Sequence, residues 1–338
     1  MRVAINGVGR IGRALLKQII DHGELELVAV NDLVDPENLA YLLRYDSVYG
    51  RYPHTVQVEN GGLAIGNHGI QVFREREPER LPWRDLDVDV VFECTGVFRR
   101  AEDMQRHVAA GAKHVILSAP VRSGNTPGVK LYVVGVTPIE GFPELASCAS
   151  CTTNCITPVM EVLDRRLGVD KALMTTVHAY TSSQALVDGP SKKVRRGRAA
   201  ALNLVPSTTG AANATVECLP QLEERFGGVA IRAPVACGSI ADIVCVARRE
   251  TSVDELKQIF RDEASSERYD GILGVAEDPI VSSDVIGDTR ASVVDLSQIA
   301  VVGGTLIQVM SWYDNEWGYA AQMIRFATRA AREVAAVG

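Results

Sequence analysis

The stretch that decides the fold runs from residue 3 to residue 12 and reads VAINGVGRIG. Its apolar start predicts a short buried strand, and apolar residues at helical spacing follow it at positions 15, 16, 19 and 20. Between strand and helix, Gly7 permits a tight turn, Gly9 lets the backbone approach a pyrophosphate, and Gly12 allows close helix packing. The stretch therefore predicts a dinucleotide-binding unit with the pyrophosphate at the helix N-terminus.

An acidic residue supports this interpretation and bears on the choice of cofactor. A second predicted strand, residues 25–30, ends at Asn31 and Asp32, about twenty residues after Gly12. A carboxylate there binds the ribose 2′-hydroxyl and repels the 2′-phosphate of NADP, so NAD is favoured. The weaker interpretation is that Asp32 only caps a turn before Pro36.

Two later predicted strands, residues 88–93 and 114–117, also end in small polar residues. Thr95 and Gly96 follow the first, and Ser118 follows the second. Ligands of open parallel sheets collect at the carboxyl ends of the strands, which makes these residues candidate cofactor contacts. Ordinary turn chemistry explains them equally well, so both interpretations stay open.

A cysteine cluster in the middle of the chain indicates covalent chemistry. Residues 147–155 read SCASCTTNC and precede apolar residues at helical spacing, so Cys151 is expected at or near a helix N-terminus. Partial positive charge there stabilises a thiolate, and an imidazole such as His178, which follows a predicted strand, would lower the pKa of the thiol further.

Two other interpretations of this cluster compete with nucleophilic catalysis. Buried apolar cysteines are common, but the Ser, Thr and Asn neighbours fit that role poorly. Cys148, Cys151 and Cys155 have ligand-like separations, but a second pair at comparable spacing is missing, so a metal site is disfavoured. We therefore favour a sulfur nucleophile and expect no metal.

Bulk composition excludes several classes of protein. A chain of 338 residues exceeds the size of a single hydrophobic core, so two domains are expected. Seven cysteines, an odd number without a dense regular framework, indicate reduced thiols, and no export signal is visible at the N-terminus, so a cytoplasmic protein is expected. The net charge of -7 and the lack of a long apolar run predict neither a nucleic-acid nor a membrane partner.

Five further motifs follow along the chain. They are ASCTTN at 149–154, HAYT at 178–181, RRGRAAA at 195–201, STTGAA at 207–212 and SWYDNEWGY at 311–319. In their order and spacing they closely resemble the glyceraldehyde-3-phosphate dehydrogenase family. Together with the N-terminal motif they cover the chain almost end to end, which makes chance agreement implausible.

The resemblance implies a phosphorylating aldehyde dehydrogenase. Cys151 would attack the aldehyde of glyceraldehyde 3-phosphate while His178 takes the proton, and hydride transfer to NAD would leave a thioester. Inorganic phosphate would then release 1,3-bisphosphoglycerate. By the same resemblance, the substrate phosphate is bound by Thr181 and Arg232, and the attacking phosphate by Ser150, Thr152, Thr209 and Gly210 with Arg196 nearby.

The family pattern also assigns cofactor contacts. Asn315 would orient the nicotinamide carboxamide with Tyr319 close by, and Arg76 would lie near the adenosine. The full predicted set is Gly7, Gly9, Arg10, Ile11, Gly12, Asp32, Arg76, Thr95, Gly96, Ser118, Asn315 and Tyr319.

The predicted fold is α/β with two domains. Residues 1–150 would form a Rossmann doubly wound parallel sheet, joined by a C-terminal helix at 319–338, and residues 151–318 an α+β catalytic domain with a mostly antiparallel sheet. The resemblance implies a homotetramer in which the basic segment 192–198 lies at a subunit interface, although a solvated loop would look similar.

Three residues depart from the family pattern. Cys148 stands where most relatives have Asn, and could form a reversible disulfide with Cys151 or simply replace a small polar residue. Ser183 stands where Asp is common, close to Thr181, and Gly189 replaces a bulkier residue that helps to exclude NADP. We therefore expect NAD preference with some tolerance of NADP.

Two alternative functions remain at this stage. The related erythrose-4-phosphate dehydrogenases share the fold, the cysteine and the histidine, although STTGAA and HAYT match the glyceraldehyde enzymes better. A non-catalytic nucleotide- or nucleic-acid-binding protein is a different class, which the intact Cys151, His178, Arg232 and glycine turn disfavour.

Overall fold

The computed structural model describes residues 1–122 and 128–337. The chain divides into two units. The first contains Met1–Tyr132, Pro138–Ala149 and the chain from Met323, and the second contains Val133–Thr137 and Ser150–Gln322. Position 338, the predicted end of the last helix, lies outside the described residues.

The first unit is an α/β unit, and its elements are given in chain order. They are β1 (Arg2–Asn6), α1 (Arg10–His22), β2 (Glu26–Asn31), α2 (Pro36–Arg44), β3 (Tyr45–Asp46), β4 (Gly50–Arg51), β5 (Val56–Glu59), β6 (Gly62–Ile65), β7 (His68–Phe73), β8 (Val90–Glu93), α3 (Ala101–Ala109), β9 (His114–Leu117), β10 (Lys130–Leu131) and β11 (Leu145–Ser147).

Among the described residues, nine of these strands form one sheet in the order β10-β11-β9-β8-β1-β2-β7-β6-β5. The pairs from β10 to β7 are parallel, which confirms the predicted doubly wound sheet. The pairs β5-β6 and β6-β7 are antiparallel and lie at one edge of the sheet. The sequence analysis did not predict these antiparallel strands.

Steric constraints at the first turn explain why the motif needs glycine. Gly7 has a φ of +92°, and a Cβ there would lie 2.6 Å from the backbone nitrogen of Thr95. At Gly12 a Cβ would lie 2.0 Å from the carbonyl oxygen of Gly7. A side chain at Gly12 would push α1 away from the turn, and one at Gly7 would push the turn away from the backbone that follows β8.

The second unit is α+β. In chain order its elements are α4 (Cys151–Leu167), β12 (Val169–Ala179), β13 (Val205–Ser207), α5 (Ala211–Cys218), β14 (Phe226–Ala233), β15 (Ser239–Ala247), α6 (Val253–Ala264), β16 (Leu273–Ala276), β17 (Ser292–Asp295), β18 (Ala300–Val302) and β19 (Leu306–Tyr313). The last helix, α7 (Trp317–Val337), begins in this unit and continues in the first.

The sheet of the second unit has the order β13-β14-β12-β15-β19-β17-β16. The pairs β12-β14 and β16-β17 are parallel and the others antiparallel, which confirms the predicted mostly antiparallel sheet. Helix α4 packs against β15, β17 and β19. In the part of the chain that the structure describes, every helix is too short or too polar to span a bilayer.

Candidate active site

A cavity of about 340 Å³ lies in the first unit at the carboxyl ends of β1, β2 and β8. Its lining residues are Asn6, Gly7, Gly9, Asn31, Asp32, Leu33, Glu75, Arg76, Cys94, Thr95, Val97 and Phe98. Gly7, Gly9, Asp32, Arg76 and Thr95 of the predicted cofactor set are thus brought together. The lining does not include the predicted contacts Arg10, Ile11, Gly12, Gly96 and Ser118.

The cavity suits a dinucleotide. Asp32 accepts hydrogen bonds from the backbone nitrogens of Val8 at 2.7 Å and Val34 at 3.1 Å, which fixes its carboxylate on the wall. A Cβ on Gly9 would meet no described atom within 4 Å, so the space beside this backbone is open. Helix α1 begins at Arg10 without a side-chain cap from the described residues, and a helix N-terminus at this position favours a bound anion.

Two of the predicted contacts that lie outside the lining are engaged elsewhere. The Arg10 guanidinium pairs with Asp46 at 2.7 Å and lies over the ring of Tyr49. The backbone nitrogen of Ser118 donates to the carbonyl of Glu93 at 2.9 Å, as expected for a strand-ending turn.

A fully buried carboxylate, Glu93, underlies this cavity. It accepts hydrogen bonds from Asn6 Nδ2 at 2.6 Å and from the backbone nitrogen and hydroxyl of Thr95. His107 Nε2 lies 3.1 Å from the same carboxylate, and its Nδ1 accepts from Trp83. These donors compensate the buried charge and hold two cavity-lining residues in place. The signal that could have revealed Glu93 is a lone carboxylate at the end of an apolar strand.

The second unit brings the candidate nucleophile and base together. Helix α4 begins at Cys151, after Ser150 caps it by accepting the backbone nitrogen of Thr153 at 3.2 Å. His178 is the penultimate residue of β12, and its Nε2 lies 3.4 Å from Cys151 Sγ. The thiol is therefore within proton-transfer reach of the imidazole.

The surroundings of His178 define its protonation. Its Nδ1 lies 2.7 Å from the carbonyl oxygen of Ala179, the contact of a ring N–H donating to a carbonyl, which leaves Nε2 with its lone pair towards Cys151. Arg232, the register partner of His178 on β14, places Nη1 2.9 Å from the same Nδ1. Because Nδ1 cannot accept a hydrogen bond while it carries the proton, Arg232 acts on the ring through its charge and donates instead to the carbonyl of Ala179. Burial, assisted by the charge of Arg232, lowers the pKa of His178 to about 3. The imidazole is therefore a neutral base.

The prediction of a lowered thiol pKa is wrong for the free protein. Burial raises the pKa of Cys151, and the opposing effects of Arg232 and of hydrogen bonds from Thr152 are smaller. The resting pair is therefore a thiol and a neutral imidazole.

The predicted phosphate contacts fall into two arrangements. Thr181 Oγ1 and Ser183 Oγ are 2.8 Å apart, and Arg196 Nη1 donates to Ser183 at 3.3 Å while its Nε donates to Ser207 at 2.9 Å. Gly210 precedes α5, and Thr209 Oγ1 accepts the backbone nitrogen of Ala211 at 3.1 Å. Ser183 therefore contacts both Thr181, which is predicted to bind the substrate phosphate, and Arg196, which is predicted to lie near the attacking phosphate.

Two predicted residues differ from their expected surroundings. Thr152 is buried, and its Oγ1 lies 2.9 Å from the hydroxyl of Tyr313. The same hydroxyl lies 2.8 Å from Thr176 Oγ1, and the Tyr313 ring packs edge-on against His178. Tyr319 is 4% exposed within α7. Tyr313 therefore connects α4 to the strand that carries the imidazole, a role that the sequence analysis did not assign to it.

Arg232 has an unused donor. Its Nη1 also donates to the carbonyl of Ala179 at 3.0 Å, but its buried Nε has no partner among the described residues. Buried donors of native proteins are nearly always satisfied, so this nitrogen indicates a missing acceptor such as a bound anion. No group of three metal-binding side chains occurs within residues 1–122 and 128–337.

Comparisons with known proteins identify the family of the chain. Residues 1–101 match the NAD binding domain of glyceraldehyde 3-phosphate dehydrogenase, and residues 150–315 match the C-terminal domain of that enzyme. The chain is 46% identical over 332 residues to glyceraldehyde-3-phosphate dehydrogenase 2 of Streptomyces arenae, covering 97% of this chain and 98% of the relative. It is 44% identical over 330 residues to the glyceraldehyde-3-phosphate dehydrogenase of Haloarcula vallismortis, covering 97% of each.

Proposed function

The chain belongs to the glyceraldehyde-3-phosphate dehydrogenase family, and we propose that it oxidises glyceraldehyde 3-phosphate with NAD and phosphate to 1,3-bisphosphoglycerate. The observation that carries this proposal is the 3.4 Å separation of Cys151 Sγ and His178 Nε2 at the start of α4. Bound NAD supplies the hydride acceptor. Nucleophilic attack on the aldehyde and the proton transfers are performed by the side chains of this site.

The first half of the reaction forms and oxidises a hemithioacetal. Cys151 Sγ adds to the aldehyde carbon while its proton passes to His178 Nε2, which can return that proton to the new alkoxide. When the hydride leaves the same carbon, Nε2 takes up the hydroxyl proton, and a thioester on Cys151 remains. The neutral state of His178 suits both transfers, because its lone pair is available at working pH.

The second half transfers the acyl group to phosphate. An oxygen of inorganic phosphate attacks the thioester carbon, the carbon–sulfur bond breaks, and the thiolate of Cys151 regains the proton that His178 Nε2 took up in the first half. Arg232 and Arg196 both lower the pKa of His178, so two guanidinium charges act on the reacting atoms and would attract the phosphates. The unpartnered Nε of Arg232 supports its assignment to the substrate phosphate.

The assembly proposed for the protein is a homotetramer in the cytoplasm. Three strands of the sheet in the second unit, β12, β14 and β19, carry exposed apolar side chains: Leu173 is 70% exposed, Val229 53% and Leu306 42%. Apolar faces of this kind favour association with another copy. All seven cysteines are free thiols, which favours a reducing compartment.

The decisive assay compares aldehydes and phosphate. We expect NADH formation from glyceraldehyde 3-phosphate to require inorganic phosphate for continued turnover, and its kcat/KM to exceed that of erythrose 4-phosphate by about tenfold or more. Without phosphate, one equivalent of NADH per site should form and then stop, because the thioester is not released. A preference for erythrose 4-phosphate, or sustained turnover without phosphate, would contradict the proposal.

Asp32 is expected to set the preference for NAD. In the Asp32→Asn variant the amide oxygen still accepts the Val8 nitrogen, but the charge that repels a 2′-phosphate is lost. We expect the ratio of kcat/KM for NADP to that for NAD to rise about tenfold, equivalent to about 1.4 kcal/mol. Steady-state kinetics with both cofactors measure it. If kcat/KM of the parent enzyme for NADP equals that for NAD, Asp32 does not discriminate between the two cofactors.

The proposed disulfide switch is disfavoured by burial. Cys148 is 2% exposed, and burial raises the pKa of its thiol, so little thiolate exists to attack an oxidised Cys151. We expect Cys148→Ala to lose activity in peroxide and regain it in dithiothreitol to the same extent as the parent, through a sulfenic acid on Cys151. If only the parent regains activity in dithiothreitol, a reversible Cys148–Cys151 disulfide forms in peroxide.

A further inference from the structure

The side-chain amide of Asn315 is held in one orientation by a buried serine. Asn315 lies between β19 and α7 and is 4% exposed. Its Oδ1 accepts a hydrogen bond from the hydroxyl of Ser239 at 3.0 Å. No described residue accepts a hydrogen bond from its Nδ2, so the amide presents its donor end to whatever binds there.

Ser239 also holds the backbone next to the imidazole. It is the first residue of β15 and 1% exposed, and its Oγ accepts the backbone nitrogen of Ala179 at 3.1 Å. The carbonyl of Ala179 in turn accepts from His178 Nδ1 at 2.7 Å. One hydroxyl thus connects the Asn315 amide to the residue that fixes the tautomer of His178.

The direction of these hydrogen bonds determines which end of the amide faces outwards. Ser239 receives the Ala179 N–H and has a single proton, which it gives to Asn315 Oδ1. Were the amide turned over, its NH₂ would meet the serine oxygen, and the buried serine proton would have no acceptor. An unmade buried hydrogen bond of this kind costs enough to keep one orientation about tenfold or more in excess.

We propose that Ser239 is a positioning residue that directs the NH₂ of Asn315 to the carboxamide oxygen of the nicotinamide. The inference rests on the proposed function, from which the contact of Asn315 with the nicotinamide is taken. It adds that this contact is a donation to the carbonyl, and that Ser239 links it to the strand end bearing His178.

The first experiment measures binding and not turnover. We expect Ser239→Ala to raise the Kd for NAD about five- to tenfold while leaving the Kd for ADP-ribose, which lacks the nicotinamide, unchanged in calorimetry. Ser239→Thr, which keeps the hydroxyl, should restore most of the NAD affinity. Because Ser239 acts through Asn315, the double variant with Asn315→Ala should bind NAD no more weakly than Asn315→Ala alone.

Additive losses in that double variant would overturn the proposal, as would an unchanged ratio of the two Kd values in Ser239→Ala. A parent protein that binds NAD no better than ADP-ribose and does not oxidise the aldehyde would instead refute the proposed function. The two failures are therefore distinguishable.

A second measurement needs no variant and so does not depend on folding of Ser239→Ala. The 3-acetylpyridine analogue of NAD keeps the carbonyl acceptor and lacks the NH₂ group. If Asn315 donates to the carbonyl, the parent should bind this analogue within about threefold of NAD. A loss of affinity greater than about tenfold would show that Asn315 Oδ1 faces the cofactor, which overturns the proposed orientation.

Discussion

Cys151→Ala is expected to abolish aldehyde oxidation, with a loss of about 10⁴-fold or more in kcat, because neither the hemithioacetal nor the thioester can form. Binding of NAD should be retained, since the cavity that includes Asp32 and Thr95 lies in the first unit and Cys151 lies in the second. Steady-state NADH formation, with mass spectrometry of the acylated protein, measures the loss.

A matched control lies in the same helix. Cys155 is fully buried, and its sulfur contacts the Ser292 hydroxyl at 3.7 Å and the Ser311 carbonyl at 3.8 Å, so Cys155→Ser keeps a group that can make both contacts. This variant should retain activity within about threefold. Turnover by Cys151→Ala above about one per cent of the parent rate would place the nucleophile elsewhere.

His178→Asn is expected to lower kcat by about 10²- to 10⁴-fold. The amide has no lone pair suited to take the Cys151 proton, so the thiol, whose pKa burial already raises, would lose the base that ionises it on attack. Alkylation of Cys151 by iodoacetamide at neutral pH should slow in parallel. If kcat falls while the alkylation rate stays at the parent value, His178 acts only after the sulfur has attacked.

The same variant tests the protonation state of His178 through stability. The pKa is about 3 in the folded protein against 6.5 for the free side chain, so the unfolded chain binds this proton more readily. Stability is therefore unaffected above about pH 6.5 and is lost as the pH falls towards about 3. At about pH 5 the loss is about 2 kcal/mol.

Denaturant unfolding at about pH 7.5 and about pH 5 measures this difference. Because His178→Asn has no proton to gain, its free energy of unfolding should fall by about 2 kcal/mol less than that of the parent over this interval. Equal decreases in the two proteins would show that the ring is already protonated, or freely protonated, in the folded state.

Several elements of the site lie beyond what the sequence predicts, for a common reason. The sequence marks residues whose local pattern is unusual, such as three glycines in a turn or a cysteine before a helix. Ser239 and Glu93 have ordinary local patterns, and the motif around Tyr313 does not reveal what its hydroxyl contacts. Their partners Asn315, Asn6 and Thr152 are distant in sequence. Their roles arise from contacts that only the packed chain creates.

The sequence alone was sufficient to predict the order of strand, glycine turn and helix, the carboxylate at Asp32, and Cys151 at the start of a helix. These features depend on short-range sterics and periodicity, which neighbouring residues encode. The pairing of Cys151 with His178 instead followed from the resemblance to the family, because the two residues belong to different elements. Tertiary structure alone decided the charge states, because burial raises the pKa of Cys151 and lowers that of His178. Desolvation depends on everything that packs around a group, and no local segment specifies it.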